Sequence, residues 1–263
     1  MSGIRPTGFL HLGNYFGAMR NYVKMQETHT CFFMVADLHS LTTHPDTTEL
    51  KKNVQRVIAE NIACGLNPEK VALYCQSHLY ETSELYLYLN MLAYKGELEK
   101  TATFKDKARL HPQNINAGLL TYPVLMATDI LIHRASYVPV GKDQEQHLEM
   151  TRNFAQRFNH RYGDVFPEPM AFNFGETLLK VPSLDGTGKM SKSENQMATL
   201  YLADDDESIR KKLMKAVTGE APAEKNSVMP DSVANLFLLM ELVSTQEVIA
   251  QYKNDYSNCR IRF

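Results

Sequence analysis

The sequence predicts an α/β fold: a parallel sheet with helices on both faces, followed by a smaller all-α region. Three observations carry this. Two short apolar runs, 30–36 and 71–75, are rich in strand formers and apolar on both faces, as buried parallel strands are. A helical apolar period separates them, so strand, helix and strand follow in the order of a right-handed crossover. Beyond about residue 195 the strand pattern stops and only helical periods remain.

The bulk numbers set limits on function. The chain has 263 residues, 44% of them hydrophobic, enough for a substantial core, and a formal net charge of −2. With charge so balanced, any nucleic-acid contact must come from a local basic patch. The cysteines, Cys31, Cys64, Cys75 and Cys259, form no CxxC pair and read as small hydrophobes in a reducing cytoplasm. No signal peptide, membrane-length apolar run or fixed-period repeat is legible.

The first stretch of interest is Pro6-Thr7-Gly8-Phe9-Leu10-His11-Leu12-Gly13-Asn14, a Gly-punctuated turn that opens a helix. Glycine lets a ligand approach the backbone, and a helix start offers unpaired N–H groups, which suits phosphate. A plain turn with Asn14 as a cap fits the same residues. The run 30–36 then ends abruptly in Asp37-Leu38-His39-Ser40. Ligands of open α/β sheets bind beyond the carboxyl ends of strands, so Asp37 and His39 are site candidates.

Asp46 and Glu49 predict a capped helix with Leu50, Val54, Val57, Ile58 and Ile62 on its buried stripe, closed by Gly65. After the second strand, 81–95 reads as a helix, and the basic segment Thr103 to Arg109 as a surface loop. Residues 117–133 carry a helical period, with Pro123 expected in the tolerant first turn. Asp129 lies inside that period. If buried it demands a partner, and the sharper reading is a carboxylate that accepts a hydrogen bond from a ligand N–H. Val138-Pro139-Val140 is a short strand running into Gly141-Lys142-Asp143-Gln144 and a helix that continues to about Tyr162. The loop Asp185-Gly186-Thr187-Gly188-Lys189-Met190-Ser191-Lys192-Ser193 combines two glycines, two lysines and two serines, a potential phosphate clamp. A helix on Ile209, Leu213 and Val217, stopped by Gly219, and one or two helices over 232–252 complete the chain.

His11-Leu12-Gly13-Asn14 together with Lys189-Met190-Ser191-Lys192-Ser193 resembles the HIGH and KMSKS motifs of class I aminoacyl-tRNA synthetases. The intervening Gly118-Leu119-Leu120-Thr121-Tyr122-Pro123, Met126-Ala127-Thr128-Asp129-Ile130-Leu131 and Val138-Pro139-Val140-Gly141-Lys142-Asp143-Gln144, with Ser2-Gly3-Ile4-Arg5-Pro6-Thr7-Gly8, look like the bacterial-type tryptophanyl-tRNA synthetase family. The resemblance covers essentially the whole chain. It implies a Rossmann-type catalytic domain, 1–195, and a helical anticodon-side domain, 196–263, expected to be incomplete because family members continue past Phe263. It also implies a cytoplasmic homodimer that uses ATP with Mg²⁺, L-tryptophan and tRNA(Trp), with no membrane partner and no protein metal site.

Carried over residue by residue, the resemblance implies His11, Asn14, Lys189, Lys192 and Lys107 as the catalytic set, with Lys105 a weaker candidate. It implies Arg5, Thr7, Gly13, Asn14, Gly141, Asp143, Val181, Lys189, Met190, Ser191, Lys192 and Ser193 on ATP, with Val181 and Met190 offering backbone groups to adenine. It implies Asp129, Met126, Tyr122, Gln144, His39, Val140 and Gly3 on tryptophan. The family commonly has Gln where this chain has Arg5. A tyrosyl-tRNA synthetase, or a non-catalytic paralogue that binds only tryptophan or RNA, would share much of this pattern.

Overall fold

The computed structural model of the chain describes every residue except 44, 111, 142–143, 173–179, 187, 192–194, 220–221, 223 and 262–263. The chain forms two compact units, drawn differently from a cut at residue 195. The first is Met1–Thr7 with Met25–Thr177, and the second is Gly8–Lys24 with Leu178–Phe263. The early segment of the second unit carries α1 (Leu12–Asn14), a π-helical turn (Tyr15–Met19) and most of α2 (Arg20–Met25).

The first unit is built on a parallel sheet of order β1-β2-β3: β1 (Ser2–Ile4), β2 (Phe32–Val35) and β3 (Ala72–Cys75). Ile4 pairs with Val35, and Val35 with Cys75, so the three carboxyl ends lie on one rim. Gly3 is register partner to Met34; a Cβ on it would come 2.8 Å from the Met34 side chain, which explains the glycine in a strand interior. From that rim β2 runs into α3 (Asp37–Ser40). The crossover helix α4 (Thr47–Ala63) starts where Asp46 accepts from the N–H groups of Thr48 and Glu49, and it ends before Gly65 at φ 108°. Ile62 is exposed, against the expected stripe; the helix buries Asn61 instead, whose Nδ2 donates to the Val57 carbonyl at 2.7 Å.

The rest of this unit is α5 (Glu81–Asn90), α6 (Lys95–Leu98), α7 (Ala102–Leu110), α8 (Ala117–Leu131), β4 (Tyr137–Pro139), α9 (Glu145–Tyr162) and β5 (Met170–Phe172). Leu89, Leu98, Val124, Ala127, Leu131, Phe154 and Ala155 form its helical core. Three expectations are corrected. The helix over 81–95 stops at Asn90, whose Nδ2 turns back to the Tyr86 carbonyl, and a short α6 follows. The 103–109 segment lies in helix α7, because its two Lys, Ala and Arg, with Ala102 and Leu110 at its ends, are good helix formers and its polar face is solvated. Pro123 lies well inside α8, because Asn116 caps that helix by accepting from the Leu119 N–H; the ring is buried, and packing offsets the lost backbone bond. The parallel pairing of β5 with β4 had no counterpart in the sequence reading.

The second unit closes by long-range pairing. Leu12 N–H donates to the Leu200 carbonyl at 3.0 Å and Leu202 N–H to the Leu10 carbonyl at 2.9 Å. Leu12 and Phe16 pack on a core of Val181, Leu184, Met190, Ala198, Leu200 and Leu239. Its helices are α10 (Asp206–Met214), α11 (Asp231–Val243) and α12 (Gln246–Ser257). α10 ends earlier than expected; Leu213 and Val217 are exposed, and Gly219 adopts φ 83° in the loop beyond. A nearly buried pair, Lys212 Nζ on Asp204 Oδ2 at 2.6 Å, ties α10 to the preceding turn.

Candidate active site

The carboxyl-end rim of β1-β2-β3 gathers the polar groups of the first unit. Asp129, on α8, is 2% exposed. Gln76, directly after β3, donates through Nε2 to both Asp129 oxygens at 2.8 and 3.0 Å. His39, on α3, places Nε2 2.8 Å from Asp129 Oδ2. Gln76 is itself aligned, its Oε1 accepting from the His39 N–H at 3.4 Å. Asp37 fixes both turns, with Oδ1 taking the N–H groups of Leu38 and Ser77 at 3.0 Å each. Burial raises the Asp129 carboxyl above the ordinary range, while the hydrogen bonds and charge of His39, then the Gln76 bond, pull against it. Burial, then the Asp129 charge, raise the neighbouring Tyr74 hydroxyl, which stays protonated and shares a hydrogen bond with His133 Nε2 at 2.6 Å.

Asp129 is therefore a desolvated acceptor with one oxygen less used than the other, suited to a ligand N–H or O–H donor. Met126, one turn earlier on α8, and Val140 both pack against the Ile130, Val138 and Leu148 cluster, an apolar wall that starts at the residue after Asp129. Gln76 is the residue the sequence reading missed. The signal was available, since it follows a strand carboxyl end just as His39 does.

Further along α8, Tyr122 hydrogen-bonds through its hydroxyl to His147 Nε2 at 2.5 Å. Lys107, on α7, holds Nζ over the Tyr122 ring, 5.0 Å from its centroid. Burial, then the charge of Arg5, depress the Lys107 ammonium, and burial alone depresses the Arg5 guanidinium. Gln144 caps α9, its N–H donating to the Gly141 carbonyl at 2.9 Å. Thr7 and Lys105 are exposed.

The two signature stretches meet inside the second unit. His11 opens α1 and is 4% exposed, and its N–H donates to Asn14 Oδ1 at 3.0 Å, so Asn14 does serve as a local cap. A Cβ on Gly13 would come 2.9 Å from the His11 ring and 3.8 Å from Met190 Cβ, which places the first motif directly against the second. The lysine loop is a hairpin: Pro182 bridges Lys189 antiparallel, and Ser183 N–H donates to the Gly188 carbonyl at 2.9 Å. Lys189 is exposed, while Met190 and Val181 are 1% exposed. Met190 N–H donates to the Val181 carbonyl at 2.8 Å. The two groups expected on adenine thus bond to each other, as a hairpin ladder requires. The Ser191 carbonyl takes the Thr199 hydroxyl at 2.8 Å. Asp143, Lys192 and Ser193, with Lys142, lie outside the described residues.

A strand-rim acceptor with an apolar wall, and a His-x-Gly-Asn helix start packed on a lysine hairpin, are the parts of a class I synthetase. A family model described as tRNA synthetases class I (W and Y) matches residues 1–261, and the chain belongs to that family. Within it, the chain is 59% identical over 264 residues to a tryptophan–tRNA ligase of Porphyromonas gingivalis, a match covering 100% of this chain and 80% of the relative. It is 44% identical over 251 residues to the corresponding ligase of Caldanaerobacter subterraneus, covering 94% and 76%. Among solved structures, a tryptophanyl-tRNA synthetase from Campylobacter jejuni complexed with ADP and tryptophan superposes with a TM-score of 0.85 at 33% identity, covering 97% of this chain and 78% of that one.

Proposed function

We propose that the chain activates L-tryptophan with ATP, forming tryptophanyl-adenylate and pyrophosphate, and transfers the aminoacyl group to tRNA(Trp). The observation that carries this reading is Asp129: a 2%-exposed carboxylate, oriented by His39 and Gln76, in the helix turn that also supplies Ile130 to the apolar cluster on which Met126 and Val140 pack. An indole N–H satisfies that acceptor, and phenylalanine leaves it unpaired in a desolvated place. A phenol could also donate to it; the tryptophan–tRNA ligase relatives favour the indole.

The substrate carboxylate is already a nucleophile, so no catalytic base is needed and rate comes from positioning and charge neutralisation. His11, Gly13 and Asn14 approach the phosphates; Lys189, Ser191, Lys192 and Ser193 close on the departing pyrophosphate; Lys107 adds positive charge. Asp143 and Gly141 take the ribose. Tyr122 and Gln144 hold the ammonium, and Gly3, His39, Met126 and Val140 line the ring. Among the described residues no group of three or more His, Cys, Asp or Glu stands ready to hold a metal. Mg²⁺ would enter with the nucleotide, its charge offsetting that of the phosphates.

Residues 196–263 serve the tRNA side. The chain works as a homodimer, supported by the exposed apolar residues Tyr80, Leu87, Tyr88, Met91 and Tyr94 on and beside α5. Among the described residues no helix is long and apolar enough to cross a membrane. Pyrophosphate exchange into ATP, run with each aromatic amino acid, tests the whole reading. Exchange with tryptophan alone is expected; exchange with tyrosine, or none, overturns it.

A further inference from the structure

Arg5 stands one residue past the carboxyl end of β1, on the rim that supplies Gln76 and His39. Ala36 N–H donates to the Ile4 carbonyl at 2.9 Å, so the ladder holds right up to Arg5. Arg5 and Gln76 follow register partners two strands apart, about 10 Å along the rim at roughly 4.8 Å per strand. The Arg5 Nε is buried and has no hydrogen-bond partner. Among the described residues neither Arg5 nor Lys107 pairs with an acid, although the two cations feel each other and both are partly desolvated. Two like charges with a buried unspent donor are costly unless an anion completes them.

The position of the pair says which anion. Lys107 sits on the ring of Tyr122, and Tyr122, Met126 and Asp129 recur at i, i+4 and i+7 on α8, one face of the helix. Asp129 to Tyr122 is two turns, again about 10 Å. An amino acid whose ring donor is fixed at Asp129 therefore presents its backbone end toward Tyr122 and the cations. We propose that Arg5, with Lys107, binds the carboxylate of the amino-acid substrate, as a specificity determinant for a free α-carboxylate. The guanidinium offers Nε and a terminal nitrogen as a fork matched to two carboxylate oxygens, which a glutamine cannot reproduce. This places Arg5 on the amino acid instead of the nucleotide, and it puts the positive charge of Lys107 on the attacking carboxylate, where that carboxylate meets the α-phosphate. The proposal rests on Asp129 being the indole acceptor.

The chain contains no tryptophan, so the fluorescence of an indole ligand is read against a background free of protein indole. The experiment titrates the full chain, and its Arg5→Gln and Arg5→Lys variants, with L-tryptophan and with L-tryptophanamide, which lacks the carboxylate charge. Arg5→Gln is expected to weaken tryptophan about tenfold or more, the scale of one lost charge-assisted bond, and to leave tryptophanamide within about twofold. Arg5→Lys recovers part of the tryptophan affinity. Equal losses for both ligands, or an unchanged ratio between them, overturn the proposal. So does a loss of ATP affinity with the ratio intact, which would assign the cations to phosphate. Failure of the underlying reading shows separately, in the unsubstituted chain, as no preference for L-tryptophan over L-tyrosine; that result removes both.

Discussion

His39 Nε2 lies 2.8 Å from Asp129 Oδ2, and the two residues are 90 positions apart in the chain. The bond joins the turn after β2 to the last turn of α8, and Gln76, from the turn after β3, closes it into a three-residue cluster. This turns a carboxylate that burial would neutralise into an oriented acceptor.

Asp129→Asn is expected to abolish selective tryptophan activation and yet to stabilise the fold at neutral pH. The amide keeps the shape and removes the desolvated charge. The Asp129 pKa is raised on folding, so the native state holds that proton more tightly than the unfolded chain does. The wild type then loses stability relative to the variant as pH rises above about 4. Thermal denaturation of both proteins across pH checks the sign: a Tm gap that widens toward acid would contradict it.

Lys189→Ala is expected to lower kcat for pyrophosphate exchange about a hundredfold, with a much smaller change in tryptophan affinity, because an exposed hairpin lysine meets charge that develops on the leaving group. Steady-state kinetics in each substrate separates the two. Comparable losses in kcat and tryptophan KM would refute the assignment. Lys192 is expected to behave alike.

Gly13→Ala brings a methyl group within 2.9 Å of the buried His11 ring, which has little room to yield. Overpacking of this kind costs about 1–3 kcal/mol, and the displaced ring disturbs the start of α1. Lower Tm together with slower exchange is expected; wild-type values of both would show that the ring moves freely.

Lys212→Met breaks a nearly buried pair and leaves Asp204 without its cation, although Asp204 Oδ2 still accepts the Tyr201 N–H at 2.8 Å. The expected loss is about 3 kcal/mol by denaturant titration. A loss below roughly 1 kcal/mol would place the pair among ordinary surface bridges.

Met91→Asp puts a charge into the exposed apolar stretch beside α5, where Met91 is 74% exposed. Sedimentation equilibrium should show a dimer for the wild type and a weaker one for the variant. Dimerisation unchanged by the substitution would move the interface elsewhere.

Much of the fold was legible because its signals are local. β2 and β3 are continuous apolar runs, Asp46 caps α4, and Gly65 and Gly163 end helices in conformations that other residues avoid. The segment 103–109 was misread for the same reason, since its charges describe only its solvated face and say nothing of what Lys107 rests on. The candidate site divides along that line. Its motifs are contiguous strings, so His11, Gly13, Asn14 and Lys189 could be picked out, and Asp129 could be named as an acceptor awaiting a partner.

By itself, then, the sequence determined the strand-helix-strand crossover from β2 through α4 to β3, the helical character of the chain's end and the residue types that the chemistry needs, because these depend on neighbours within a few positions. Tertiary structure alone decided who meets whom. It gave Asp129 both His39 and Gln76, brought residues 10–12 against 200–202 so that the two signature stretches share one compact unit, and left the Arg5 Nε buried with no bond. The physical reason is that burial and hydrogen-bond pairing depend on groups far apart in the chain, whose desolvation and partners exist only once the sheet rim and the hairpin have formed.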